Sequence, residues 1–115
     1  MQIGHNSQPI KEDDIHRVVD FLHKYPQLIE NAKKKAARAE WLAEVLLAEI
    51  INRTEGKSYD ARKAKAITEV MYRNAKEAEI NAASEEMGVK AQFAANELIA
   101  SLYQTQSANM RSTKV

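Results

Sequence analysis

Residues 29–50 read IENAKKKAARAEWLAEVLLAEI, residues 61–82 read ARKAKAITEVMYRNAKEAEINA, and INRTEGKSYD joins them. In the first stretch Ile29, Ala32, Ala36, Ala39, Ala43, Leu46 and Ile50 recur at steps of three and four. In the second, Ala61, Ala64, Thr68, Met71, Ala75, Ala78 and Ala82 do the same. That spacing lines one side of an α-helix and keeps it turned toward a partner helix over many turns. The predicted fold is all-α, an antiparallel helical hairpin of alanine-rich coiled-coil type. Small residues along the seam allow two helix backbones to approach more closely than leucine does.

The joining segment supplies the turn. Gly56 stands where a left-handed helix cap is expected, and Ser58 with Asp60 offers oxygen acceptors to the first free amides of the following helix. Outward from the hairpin, Ile15, Val18, Val19, Leu22 and Tyr25 share one face of a short helix over about 12–25, with Asp13 and Asp14 at its start. Pro26 is predicted to end that helix and open the next, which runs to about Arg53. The third helix is predicted over about 59–86. Past it, Met87, Ala91, Ala94, Leu98 and Leu102 form an offset stripe, so a kink or break is expected at Gly88 and a fourth helix to about Gln106; since glycine inside a helix costs only about 1 kcal/mol, a continuous rod is the alternative. Residues 1–10 read as an extended arm, 11–106 as a single helical domain and 107–115 as a frayed polar tail.

Composition narrows the class. Three Gly and two Pro in 115 residues, with helix formers dominant, leave no room for a sheet. Seventeen basic against 16 acidic side chains give a net charge of +1, so no strong global field draws the chain to nucleic acid or membrane. Cysteine is absent, which removes disulfides and thiolate chemistry and fits a reducing compartment, the cytoplasm. No apolar run reaches the roughly 20 residues that span a bilayer, and no secretory leader pattern opens the chain.

With the turn at Gly56, Lys33, Lys34 and Lys35 are expected level with Glu77 and Glu79, and Glu49 level with Arg62 and Lys63. Such exposed pairs contribute only about 0–1 kcal/mol each, yet together they favour the antiparallel alignment. Around residues 41–51, Trp41, Leu42, Val45, Leu46, Leu47, Ile50 and Ile51 occupy nearly every side of the helix. A helix apolar all round has to be covered all round. The fourth helix and a second subunit are the expected cover, so a homodimer is predicted; a self-contained bundle is the alternative.

His16, Asp20 and His23 fall on one side of the first helix at a pitch that could ligate a metal, but they flank the apolar face without closing a cavity. They read as a solvated polar edge, and neither metal nor cofactor is predicted. Lys33, Lys34 and Arg38, and the cluster Arg62, Lys63 and Lys65, could meet phosphates or simply pair across the hairpin. In the tail, Arg111 and Lys114 have no neighbouring acid, and Tyr103 could stack on a base. No nucleophile elbow, phosphate-binding glycine loop, metalloprotease helix or paired carboxylates in a cleft occurs, so the chain reads as a non-enzyme.

Two resemblances bear on function. Ile3, Gly4, His5, Asn6, Ser7, Gln8 and Pro9 resemble a short N-terminal signature of small phage and prophage proteins of alphaproteobacteria. Detached from the helical pattern, it behaves as a docking peptide, with Ile3, His5 and Asn6 as its contact residues. More broadly, over about 31–111, the Ala/Lys-rich helix, the Gly56–Ser58 turn, Arg62, Ala66, Tyr72, and the closing Tyr103, Gln104, Thr105, Gln106, Ala108 and Arg111 look like a family of helical phage proteins. Tyr103 stands where that family usually has Trp. Genes of the family commonly lie beside single-strand annealing recombinases and exonucleases. The resemblance implies a non-catalytic accessory protein in DNA recombination or replication that binds a protein partner, a phage recombinase or a host enzyme, and possibly DNA. An inhibitor of a host enzyme or defence complex, docking through Trp41 and Phe93, is the alternative; a virion scaffold is a third.

Overall fold

The computed structural model describes residues 9–113. Three helices occur among them: α1 (Glu12–Arg53), α2 (Tyr59–Ala66) and α3 (Val70–Thr113). No strand is present among the described residues. The long α1 packs against the long α3 as a hairpin, with the short α2 between them in the chain. By contact the chain divides into two compact units, one of residues 1–28 and 89–115, the other of residues 29–88.

The hairpin stands, but its segmentation differs from expectation. α1 runs without interruption through Pro26. A proline inside a helix removes one hydrogen bond and crowds the carbonyl four residues back, at a cost of about 3 kcal/mol. Here Pro26 lies on the exposed side, where water can serve that carbonyl. Val18, Leu22, Tyr25, Ile29, Ala32 and Ala36, all buried or half-buried, continue one seam through it. Burying a large apolar side chain contributes about 1.5–3 kcal/mol, so a seam intact on both sides outweighs one lost bond. There is accordingly no separate N-terminal accessory helix.

The expected break at Gly88 is also absent, and α3 continues to Thr113, which makes residues 107–113 helical and leaves no separate C-terminal helix. Gly88 is exposed, with nothing within 4 Å of where a Cβ would stand. The interruption falls instead at residues 67–69. Ile67 N–H bonds to Lys63 O in the ordinary way, but Thr68 and Glu69 N–H reach back only three residues, to Lys65 O and Ala66 O. The Thr68 hydroxyl donates to Lys65 O as well, at 2.6 Å. A β-branched pair whose hydroxyl competes for the backbone favours such a tightened turn.

In the unit of residues 29–88 the tightened turn lets Ala66, 0% exposed, pack on Ile50 and Ile51, with Leu46, Leu47 and Tyr72 around them. The cover for this end of α1 therefore comes from α2, not from a fourth helix. Ser58 caps α2 as expected, accepting from Ala61 N–H at 3.1 Å. Gly56 has no left-handed backbone. Its value is space, since a Cβ there would meet Arg62 Cγ at 2.9 Å.

Inserting α2 shifts the register. Lys35 pairs with Glu85 at 2.8 Å, eight positions beyond Glu77 and as many as α2 is long. Lys34 pairs with Glu30 on its own helix, Lys76 pairs with Glu79, and Glu49 makes no ion pair with Arg62 or Lys63. The facing stripe moves too. Ala82 is buried and Ala75 half-buried, but Ala61, Ala64, Thr68, Met71 and Ala78 are exposed; Tyr72, Ala75, Glu79 and Ala82 form the seam instead.

In the unit of residues 1–28 and 89–115, the α3 seam runs through Val89, Phe93, Asn96, Ala100 and Tyr103, and the Phe93 ring stacks on Tyr25 at 4.1 Å between centroids. Ala91, Ala94, Leu98 and Leu102, expected on a buried stripe, face outward, as does Met87 in the other unit. Gln106 closes this unit with two amide bonds to the backbone of Ile10: Ile10 N–H donates to Oε1 at 2.9 Å, and Nε2 donates to Ile10 O at 3.2 Å.

Candidate functional site

Two surfaces stand out, both in the unit of residues 29–88. The first is centred on Trp41. Along α1 the seam passes through Ala39, Ala43 and Leu46, which places residue 41 on the opposite side of the helix. Trp41 is 59% exposed and its neighbour Leu42 52%. Val45, one turn on, is half-buried. A large amphipathic ring held outward on a rigid helix is the residue type that dominates protein–protein contacts. Phe93, expected beside Trp41 in partner binding, instead has a ring face engaged by Tyr25.

The second surface is the turn of the hairpin. Between Arg53 and Arg73 the chain carries Arg53, Lys57, Arg62, Lys63, Lys65 and Arg73 against Glu55, Asp60 and Glu69. Arg17, Lys34, Lys35 and Lys76 each hold a carboxylate. None of the six turn cations does. Lys65 Nζ donates to the backbone carbonyl of Glu55 at 3.1 Å. Arg62 Nε is shut off from water with no hydrogen-bond partner. Tyr59, the first residue of α2, is 55% exposed, and Lys63 follows it one helical turn later. Periodicity could not show this surface, because it depends on where helix α2 ends; the sequence signal was the run of basic residues itself.

The remaining candidates are distributed as follows. Lys33 and Arg38 are exposed on α1, Tyr103 is half-buried and Arg111 exposed on α3. Ile3, His5, Asn6 and Lys114 lie outside the described residues. His16, Asp20 and His23 are all exposed, and no group of three potential ligands among the described residues could hold a metal ion.

A cleft of about 110 Å³ in the same unit is lined by Glu40, Glu44, Leu47, Tyr72, Lys76 and Glu79. Lys76 Nζ lies 3.3 Å from both Glu79 carboxylate oxygens, and that hydrogen bond, then the carboxylate's charge, holds its ammonium above the usual lysine range. The cleft is small beside the roughly 300–1,000 Å³ of small-molecule sites. In the other unit a groove of about 350 Å³ is lined by Ile10, Asp14, Arg17, Val18, Asn96 and Ile99. No helix among the described residues is long and apolar enough to cross a membrane.

Compared with known protein families, curated proteins and solved structures, the chain matches none.

Proposed function

We propose that this chain is a non-catalytic accessory protein of phage or prophage DNA recombination or replication, and that it acts by binding a protein partner through the surface around Trp41. The observation that carries the binding role is the exposed Trp41–Leu42 pair on the outward side of a 42-residue helix. Leaving an indole and an isobutyl group in water forgoes about 1.5–3 kcal/mol each, which a partner can recover by covering them. The phage setting rests on the sequence resemblance. Site-specific photo-crosslinking tests the role, with a benzophenone amino acid at position 41 in infected host cells. Adducts with a recombinase or exonuclease of the phage support it. Adducts with a host enzyme whose activity falls would replace it by the inhibitor reading, and no adduct above that of an exposed control position such as residue 24 would remove it.

The working form we propose is a homodimer. Leu98 and Leu102, four residues apart on α3 and both more than half exposed, offer a second copy apolar surface to cover. Light scattering should return about twice the 13.0 kDa chain mass; a concentration-independent 13.0 kDa would remove this part.

A further inference from the structure

We infer that the turn of the hairpin, from Arg53 to Arg73, is a binding surface for single-stranded nucleic acid, its cations meeting phosphates and Tyr59 stacking on a base. The choice of ligand rests on the DNA-metabolism reading above; the surface itself rests on three observations independent of it.

The charge is available. Six basic side chains gather in 21 residues of a chain whose net charge is only +1, and none of the six has a carboxylate partner, although Glu55, Asp60 and Glu69 lie within the same stretch. Elsewhere Arg17, Lys34, Lys35 and Lys76 are paired, and the cations without a carboxylate, Lys24, Lys33 and Arg38 on α1 and Arg111 on α3, are spread along the long helices, whereas at the turn six fall within 21 residues. Phosphates that replace absent carboxylates release their own counterions, which is the main source of affinity for nucleic acid.

The groups are also close together. Ala66 of α2 is buried on Ile50 and Ile51 of α1, and Tyr72 of α3 packs on the same cluster, so the ends of all three helices meet at one small core. Lys65 reaches the carbonyl of Glu55, and Arg62 lies against Gly56. α2 has eight residues and spans about 12 Å, roughly two to three nucleotides of extended strand.

The aromatic and aliphatic content then selects among polyanions. Tyr59 shares a helix face with Lys63, and a ring beside a cation is the arrangement on which unpaired bases stack. A duplex hides its base faces from such a ring. A lipid surface needs a helix with a continuous apolar face to bury; α2, YDARKAKA, has alanine as its sole aliphatic residue, and the exposed Ile67, Val70 and Met71 fall beyond its end, across the break at residues 67–69, so they extend no apolar face of α2.

Fluorescence anisotropy on the full chain tests this, with a labelled oligothymidylate of about 20 nucleotides, a duplex of equal length and anionic phosphatidylserine vesicles as competitor. The expected result is single-strand binding that weakens steeply between about 20 and 200 mM salt. Combining Lys57→Ala, Lys63→Ala and Arg73→Ala, all exposed, should lower affinity at least about tenfold and flatten the salt slope by about 2. Tyr59→Ala should weaken binding about fivefold or more without changing that slope. A charge-matched control, Lys11→Ala, Lys24→Ala and Lys90→Ala together, all exposed, should leave binding within about twofold. No binding at the lowest salt, an equal loss in the control, tighter binding to duplex, or displacement by vesicles would each overturn the proposal. The crosslink at position 41 reads the protein partner separately, so the two proposals can fail independently.

Discussion

Ala78 and Ala82 are separated by one turn and belong to the same sequence stripe, yet the structure gives them opposite fates. Ala82 is 1% exposed at the helix seam; Ala78 faces solvent. Replacing Ala82 by leucine forces three further carbon atoms into a seam that leaves Ala82 1% exposed and whose other members include Ala75. Overpacking of that kind costs about 1–3 kcal/mol, and in a chain of roughly this length each kcal/mol moves Tm by about 4–8 °C. Ala82→Leu should therefore lower Tm by about 5–20 °C. Ala78→Leu adds the same atoms in water, on a helix that tolerates leucine nearly as well as alanine, and should stay within about 0.5 kcal/mol of the parent. Thermal melts followed by circular dichroism at the helical minimum, with urea titrations alongside, give both numbers. A destabilisation by Ala78→Leu equal to that by Ala82→Leu would refute the register set by the Lys35–Glu85 pair and restore the one in which Gly56 is the whole turn.

Gly88→Ala should stabilise by about 0.5–1 kcal/mol, because the position is helical, exposed and free of neighbours within 4 Å; a loss of stability in the same melts would mean that the glycine serves a bend. Gln106→Ala removes both amide bonds to Ile10 and should cost about 1–2 kcal/mol, with hydrogen exchange at the Ile10 amide accelerated; unchanged exchange would show that the contact does not hold the start of α1. The Lys76 ammonium should titrate above the ordinary lysine range by NMR and fall toward it in Glu79→Gln, with Tyr72 and Glu40 still raising it. Its pKa is raised in the folded chain, so whatever small stability the pair gives is present at neutral pH and lost as pH climbs through that raised value. A Lys76 titration indifferent to Glu79→Gln would contradict the pairing.

The all-helical hairpin and the start of its turn were legible because they depend on composition and on Ser58, the cap of α2, which are local; the length of the turn, with α2 inside it, was not. The segmentation was not. Pro26 is a strong local breaker and Gly88 a weak one, and both were overridden by a seam that a longer view reveals: Val18, Leu22, Tyr25 and Ile29 step four, three and four through the proline, and Ala82, Glu86, Val89 and Phe93 do so past the glycine. Two of the seam positions on α3 are glutamates, which hid the stripe from a search for apolar residues. The break at 67–69 is the reverse case, since Ile67 and Thr68 are weak helix residues but no breakers, and their effect emerges once Ala66 docks on Ile50 and Ile51. Of the candidate surfaces, Trp41 was readable from the helix around it, whereas the grouping of cations at the turn required knowing that α2 is a separate element.

α2 is joined to the rest of its unit by little. Ala66 is its one fully buried side chain, and a methyl group secures far less than the leucine or isoleucine that usually anchors a helix of this length. The free energy needed to open residues 57–69 is consequently a small fraction of that for separating α1 from α3. Residues 57–69 should therefore open before α1 and α3 separate, so that amide exchange along α2 reports a local equilibrium that leaves the pairing of the two long helices untouched.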